Sequence, residues 1–332
     1  MSQRTSPTKL KDVAEAAGVS ISTVSRVFSN PERLSPATVQ HVREVAARMR
    51  FSPNVLARAL KRGVAANVGL IVPDITNPYM TALLKAAQGR SRTSGVGVLV
   101  ADTDDNTEIE RQVAEQLARQ SRGLILSAPR MSASHLREIA ATIPVVLVNR
   151  VVDGVPSVVT DSEWALGELV SHLRELGHRR IAYLPGPSGS WANRQRRKAV
   201  TARTHEAGLE LVVLDGTAAT YHDGIAAVDR VVASGVTGVI GFDDVVASGL
   251  IEGLRRHGRT VPDDVSVVGH DDILAELVQP GLTTVAGHSD RVGRLAVQRL
   301  LDPEGEQDRE TSIVVRATAV YRSSTGPAAA NV

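Results

Sequence analysis

The 332-residue chain contains no cysteine. That removes disulfides, thiolate nucleophiles and thiolate metal sites, and it fits a reducing compartment. Aromatic residues make up only 3%, which argues against a pocket built to stack on a flat base. No apolar run approaches the roughly 20 residues that span a bilayer. The polar start MSQRTSPTKLKDV has no apolar stretch of the kind a secretory leader carries. A soluble, cytoplasmic protein without a membrane partner is therefore expected. Metal-ligand spacings, a phosphate-cradling glycine loop and a Ser/His/Asp order of the catalytic kind are also missing. No catalytic residue, metal or cofactor is expected, and the chain is not read as an enzyme.

What is present is the composition of a globular protein, 42% hydrophobic and 22% charged, long enough for two or three cores. The net charge of +2 hides an asymmetry. Residues 1–63 hold eleven Lys and Arg against four acids, a net of +7; the rest, with 27 basic and 32 acidic residues, carries −5. A basic head on an acidic body suits a segment that meets phosphate, although a solvated basic surface has the same charge.

In the head, Thr8 can cap a helix KLKDVAEAAG with Leu10, Val13, Ala14 and Ala17 on one face. Gly18 supplies a turn. Ser20 caps a second helix, ISTVSRVFSN, that turns Val24, Val27 and Phe28 inward and leaves Ile21, Ser22, Ser25 and Arg26 nearer the outside. Two short helices on a tight turn make a helix-turn-helix, whose second helix enters the major groove. Ser35-Pro36 opens a third helix to about Arg50, with Val39, Val42, Val45, Ala46 and Met49 as its core stripe. Pro53 interrupts it, Asn54 can cap again, and VLARALK is a helix too short to stand alone, which suggests folding on binding.

The runs LKDVAEAAGVSISTVSRVFSN and FSPNVLARAL resemble, in order and spacing, the head and hinge of lactose/galactose-repressor (LacI/GalR) family regulators. The resemblance implies a sequence-specific transcriptional repressor that binds a pseudo-palindromic operator as a homodimer. It places Ile21 and Ser22 where the family reads bases and Arg26 where it contacts guanine or a nearby phosphate; an Arg fork matches guanine O6 and N7. The competing readings are plain helix surface for Ile21 and Ser22, and an ion pair with Glu15 for Arg26. Leu60 matches a leucine wedged into the minor groove, and Ala57 the small residue that lets the hinge lie close to it; packing of Leu60 on the next domain is the alternative. Thr8, Ser20, Thr23, Ser25, Asn30, Arg33 and Asn54 complete the set assigned to DNA.

From Asn67 onward, Val/Ile/Leu-rich runs alternate with amphipathic segments, which means parallel sheets covered on both faces. Expected strands are VGLIVPDI, GVGVLVADT, GLILSAP, PVVLVNR, RIAYLPG, LELVVLDG, GVIGFDD and VSVVGHDD; expected helices cover 78–93, 107–120, 163–176, 190–207, 221–234 and 244–257. These are too many strands for one compact sheet. Two α/β subdomains are therefore expected, and with the resemblance the fold class is an all-α helix-turn-helix head with a hinge helix, plus an α/β, periplasmic-binding-protein-like body of two Rossmann-like parallel-sheet subdomains. The boundaries are 1–53 for the head, 54–63 for the hinge, 64–160 and 161–286 for the subdomains, and 327–332 for a disordered tail. That helix 289–301 and about 287–315 cross back to the first subdomain, and about 316–326 to the second, is implied by the resemblance.

Ligands of open α/β sheets bind beyond the C-terminal strand ends. Those ends carry Asn77 and Tyr79, Asp161 and Ser162, Trp191, Arg194 and Arg196, and Asp243 and Asp271. By the resemblance Arg196 and Asp271 align with effector-binding residues, and Asp243 stands where the family usually has Asn. Ala199 likewise stands where it usually has Gly. Carboxylates, an arginine and a ring suit a sugar, polyol or nucleoside effector. Each also has a duller reading: Asp243 and Asp271 as helix caps, Arg196 as a solvated residue, Trp191 as core. Asp102, Asp104 and Asp105 read as a solvated strand-end loop and His178 as structural. The end SSTGPAAANV lacks the heptad helix through which some family members tetramerise, so a dimer is expected. A transport solute-binding protein and a sugar-cleaving cleft enzyme are the competing classes; the basic helical head opposes the first, and the missing catalytic motifs oppose the second.

Overall fold

The computed structural model describes residues 8–49, 51, 67–302 and 311–329. The chain divides into two compact units, Met1–Ala66 and Asn67–Val332.

In the first unit α1 (Leu10–Ala16), α2 (Ile21–Ser29) and α3 (Pro36–Arg48) enclose Val13, Ala14, Ala17, Val24, Val27, Val42, Val45 and Ala46. These positions recur at the three-to-four-residue spacing that lines up one helix face. Gly18 makes the turn between α1 and α2 at φ +63°, with open space where a Cβ would stand, so the backbone conformation alone asks for glycine. Ser20 and Ser35 cap α2 and α3, their hydroxyls accepting from the amides of Thr23 at 3.1 Å and Thr38 at 3.2 Å. Thr8 does not cap α1. That helix starts after Lys9, whose amide donates to Asp12 Oδ2 at 2.7 Å. The Thr8 hydroxyl, one residue too early for the cap, donates instead to the Met49 carbonyl at 3.0 Å, one of the acceptors α3 leaves open at its end. The expected hinge, with Asn54, Ala57 and Leu60, lies outside the described residues.

The strands of the second unit are β1 (Asn67–Val72), β2 (Gly97–Asp102), β3 (Leu124–Ser127), β4 (Val145–Val148), β5 (Ser157–Asp161) and β6 (Arg180–Leu184). They continue as β7 (Glu210–Val213), β8 (Gly238–Gly241), β9 (Ser266–Val268), β10 (Thr284–Ala286), β11 (Ser312–Arg316) and β12 (Thr318–Val320). Two parallel sheets result, ordered β11-β5-β4-β3-β1-β2 and β7-β6-β8-β9, with β10 and β12 as a separate antiparallel pair. Each sheet has an apolar core on both faces. On the first, Val68, Leu70 and Val72 pack under α4 (Pro78–Thr93), while Ile71, Leu124 and Leu126 pack under α5 (Thr107–Ala118) and α6 (Ala133–Ala140). On the second, Ile181 and Tyr183 meet α7 (Glu163–Glu175) and α8 (Trp191–Glu206). Its other face, with Ala182 and Leu184, meets α10 (Val228–Ala233) and α11 (Asp244–Arg256), and α9 (Tyr221–Ala226) packs on α11.

The end of the chain crosses between the sheets. The helix α12 (Ser289–Leu301) adds Val292, Ala296 and Val297 to the core over β1, and β11 pairs with β5 in register Ser312↔Ser157 to Arg316↔Asp161. The following strand, β12, returns to β10, and β10 adjoins β9 through the bridge Val268↔Thr283. One helix stood outside the sequence expectation, the eight-residue α6, whose apolar stripe of Leu136, Ile139 and Ala140 spans barely two turns. β5 was expected only as the strand end that carries Asp161 and Ser162. Segment 221–234 is also two helices, because at Ala227 the amide is shared between the Asp223 and Gly224 carbonyls. The first of them, α9, lies against α11 through Gly224 and Gly249. A Cβ on Gly249 would collide with the Tyr221 carbonyl.

Candidate functional site

Between the two sheets of the second unit lies a cavity of about 440 Å³ lined from the C-terminal ends of strands of both. Asn77, Tyr79, Asp105, Arg130 and Asn149 come from the first sheet's strand ends; Ser190, Arg196, Phe242, Asp243 and Asp271 come from the second's. Six of its lining residues, Asp104, Asp105, Ala128, Asn149, Ala219 and Asp271, hold a positive φ without being glycine. Asp271 is the most strained at φ 112°, held there by its amide bond to the Val285 carbonyl at 2.7 Å. Strain concentrated on one cavity marks it as a functional site.

Five of the nine residues placed at strand ends from the sequence meet here: Asn77, Tyr79, Arg196, Asp243 and Asp271. Arg196 is their centre. It donates to Asp271 Oδ1 at 3.3 Å and to the Phe242 carbonyl, and its guanidinium lies 4.7 Å from the Phe242 ring centroid. Asp243 both caps α11, accepting from the Val246 amide at 2.9 Å, and lines the cavity, so its two readings coexist. Its other oxygen accepts from Asn77 Nδ2 at 3.1 Å, a bond that joins the two sheet systems across the cavity. Asn77 Oδ1 in turn caps α4. Burial, then the neighbouring Asp271, pushes the Asp243 carboxyl up to about 7, and the same causes push Asp244 to about 7. The Tyr79 phenol accepts from Asn149 at 2.8 Å, and burial pushes its pKa up to about 12.

Asp161, Ser162 and Trp191 line an adjoining cavity of about 390 Å³ that shares Asn149, Ala192 and Arg196 with the first. Through His270, Ser162 still reaches the main site. Burial and Arg196 press the His270 pKa down to about 4, so the ring is neutral. It donates from Nδ1 to Asp271 Oδ1 at 2.8 Å and accepts at Nε2 from the Ser162 hydroxyl at 2.8 Å. The order Ser-His-Asp has the connectivity of a nucleophile relay, but a base this weak cannot take the serine proton near neutral pH. The relay instead ties the β5–α7 junction to the pocket.

The residues that sequence reasoning missed are Asn149, Arg130, Phe242, Ser190 and His270. A signal existed, since Asn149, Phe242 and His270 lie in the last residues of expected strand runs and Arg130 and Ser190 follow such runs within a few residues. Asp104 and Asp105, read as a solvated loop, line the cavity, and Asp105 pairs with Arg130 at 2.6 Å. Asp102 serves the loop, accepting from the Ile75 amide at 2.8 Å. His178 is buried and bonded to Thr237, Ser266 and Gly326.

In the first unit α2 presents Ile21, 52% exposed, beside exposed Ser22 and Arg26. The Ser20 hydroxyl lies 2.8 Å from those of Ser22 and Thr23, which orders the start of the helix. No ion pair joins Arg26 to Glu15 among the described residues. Arg33 is exposed, while Thr8, Thr23, Ser25 and Asn30 are half-buried.

Residues 9–54 match the bacterial regulatory proteins of the lacI family, and residues 170–325 match the periplasmic binding protein-like domain. The chain is 33% identical to the HTH-type transcriptional regulator DegA of Bacillus subtilis (strain 168), over 96% of this chain and 98% of that protein. The chain belongs to the lacI family of bacterial regulatory proteins. It is a helix-turn-helix transcriptional regulator and not an enzyme. Among solved family members, the lac repressor dimer bound to operator and the anti-inducer ONPF matches with a TM-score of 0.86 at 25% identity, over 97% of this chain and 100% of that one. The complex of the regulator CelR with cellobiose matches with a TM-score of 0.68 at 26% identity, over 96% and 99%. No helix among the described residues is long and apolar enough to cross a membrane.

Proposed function

We propose that this lacI-family regulator is a cytoplasmic homodimeric repressor whose operator affinity is set by a sugar-like effector in the 440 Å³ cavity. The observation that carries the effector reading is the Arg196–Asp271 pair, flanked by Asp243 and Asn77, between two parallel sheets. Fixed carboxylates and an arginine fork suit vicinal hydroxyls. The cellobiose bound to CelR and the ribose bound to a regulator of Enterococcus faecium, which matches at 25% identity with a TM-score of 0.71, support the same class. Because the Asn77–Asp243 bond spans the cavity, a ligand that inserts there binds one arrangement of the two sheet systems better than another. That differential affinity is what couples effector to operator.

The working division is a head to residue 53, a hinge over 54–63, and two lobes, 64–160 with about 287–315 and 161–286 with about 316–326. Ile21, Ser22 and Arg26 read bases, Leu60 wedges the minor groove, and the basic head supplies grip. Asp161, Ser162 and Trp191 extend the effector site through the adjoining cavity.

Fluorescence anisotropy with fragments of the DNA flanking its own gene tests the reading. At about 150 mM salt a pseudo-palindromic fragment should bind at least ~10³-fold tighter than random duplex. Equal binding to both would refute sequence-specific repression. Leu60→Ala should weaken the specific complex more than the non-specific one.

A further inference from the structure

We infer that the effector carries a protonated amine, as an amino sugar or amino polyol does, and that its ammonium seats among Asp243, Asp271 and Asp104 in the cavity. This deepens the reading of that cavity as the effector site and rests on it.

The cavity lining is acidic. Asp74, Asp104, Asp105, Asp243 and Asp271 face it, against two cations, Arg130 and Arg196. Each cation is already matched, Arg130 by Asp105 at 2.6 Å and Arg196 by Asp271 at 3.3 Å. Arg150 and Arg194 follow lining residues closely in the chain but are not part of the lining. Three carboxylates therefore face the cavity without a cation of their own. Asp74 is tied locally, its Oδ1 accepting from the Thr76 amide at 2.8 Å and the Thr76 hydroxyl at 2.6 Å. The Asp104 side chain makes no hydrogen bond or ion pair among the described residues. Asp243 has only neutral donors, Asn77 Nδ2 on one oxygen and the Val246 amide on the other.

A second observation comes from Asp271, which is 9% exposed. Its Oδ1 takes both the Arg196 guanidinium and His270 Nδ1, while its Oδ2 has no partner among the described residues. Polar atoms on so buried a side chain are nearly always satisfied, so this oxygen calls for a donor from the cavity. Each Asp243 oxygen also has room for a second donor. Burial, then the charge of Asp271, pushes the Asp243 carboxyl up to about 7, and a cation beside it would hold it ionised. A sugar hydroxyl brings one proton and no charge. An ammonium brings three donors and the charge that the lining lacks, and charge-assisted bonds are the stronger kind. Among the described residues no three carboxylates or imidazoles are grouped so as to hold a metal ion, so the missing cation is organic. Asn149, Ser190 and Arg196, on the same lining, remain for the hydroxyls.

Isothermal titration of the full-length protein at pH 7 with matched sets tests this: D-glucose, N-acetyl-D-glucosamine and D-glucosamine; D-galactose, N-acetyl-D-galactosamine and D-galactosamine; D-mannose, N-acetyl-D-mannosamine and D-mannosamine. In at least one set the free amine should bind about tenfold or more tightly than both neutral members. The acetylated member has the nitrogen without the charge, so it separates the ammonium from the added bulk. Asp243→Asn should bring the ratio of amine to parent towards one, where a merely structural defect would weaken all three members alike. Asp104→Asn, at an exposed position, gives the same readout should the first variant unfold. Neutral sugars binding as tightly as their amines in every set would overturn the cation site and leave the effector cavity standing. Binding by no member of any set would overturn both.

Discussion

Replacing Asp243 by asparagine should flatten the protein's loss of stability between pH 5 and pH 8. Asp243 is 1% exposed, and burial, with Asp271 beside it, raises its carboxyl from 3.8 in the unfolded chain to about 7. A raised folded pKa means that the native state holds its proton more tightly. The stabilisation is therefore complete below about pH 4 and is lost as pH climbs through 7. Integrated from pH 5 to pH 8, one such group removes roughly 2–3 kcal/mol. Asparagine does not titrate, so this share disappears. The variant meets a pH-independent cost of about 1 kcal/mol, because an amide NH₂ must now face either Asn77 Nδ2 or the Val246 amide. Asp244, also pushed to about 7, titrates in both proteins; the Asp243 charge is the smallest of the causes that raise it, so most of the difference between the two curves belongs to Asp243. For a unit of this size each kcal/mol moves Tm by about 2–4 °C, so the gap between the two melting curves should change by roughly 5–10 °C over that range. Scanning fluorimetry in matched buffers reads it directly. Parallel Tm-against-pH curves would refute the assignment of a buried, ionising carboxylate at this position.

Arg196→Ala should cost roughly 3 kcal/mol in urea unfolding, since it leaves Asp271 buried without its cation, and should remove any ligand-induced change in operator affinity. Arg196→Lys should not restore the response, because an ammonium cannot reach Asp271 and the Phe242 carbonyl together in the same plane. Ser20→Ala removes the cap of α2 and should lower head stability by about 1 kcal/mol, weakening operator binding in the same anisotropy assay. Gly249→Ala forces α9 away from α11 and should destabilise the body by about 1–3 kcal/mol; an unaltered Tm would show that the Tyr221 carbonyl can yield. At Gly18 a Cβ meets nothing, so Gly18→Ala should cost only about 1 kcal/mol of left-handed backbone strain.

Much of the fold was legible because its elements are periodic. Val68, Leu70 and Val72 sit in a run buried on both faces, and α4, α7, α11 and α12 carry stripes that admit one helical face each. The helix that escaped, α6, is only eight residues long, and its place follows from packing against distant segments of the first sheet. The site was half legible. Strand ends pointed to Asn77, Tyr79, Arg196, Asp243 and Asp271, because ligands gather there in any open parallel sheet. Nothing local separated Asp161, Ser162 and Trp191, which face a neighbouring cavity, from those five. Nor could any local pattern reveal that Asp105 neutralises Arg130, 25 residues away, or that Thr8 would spend its hydroxyl on Met49.

By itself the sequence determined the basic helix-turn-helix head, the alternation that requires two parallel sheets, and the family. Each depends on neighbours within a few turns or strands, where spacing along the chain equals spacing in space. Tertiary structure alone decided which strand ends face one another, and so the chemistry of the cavity. The Asn77–Asp243 bond joins residues 166 apart, and Arg196 meets Asp271 across a separation of 75. Burial then changes what those groups are: a carboxylate that is ordinary in a peptide holds its proton near pH 7 inside this fold.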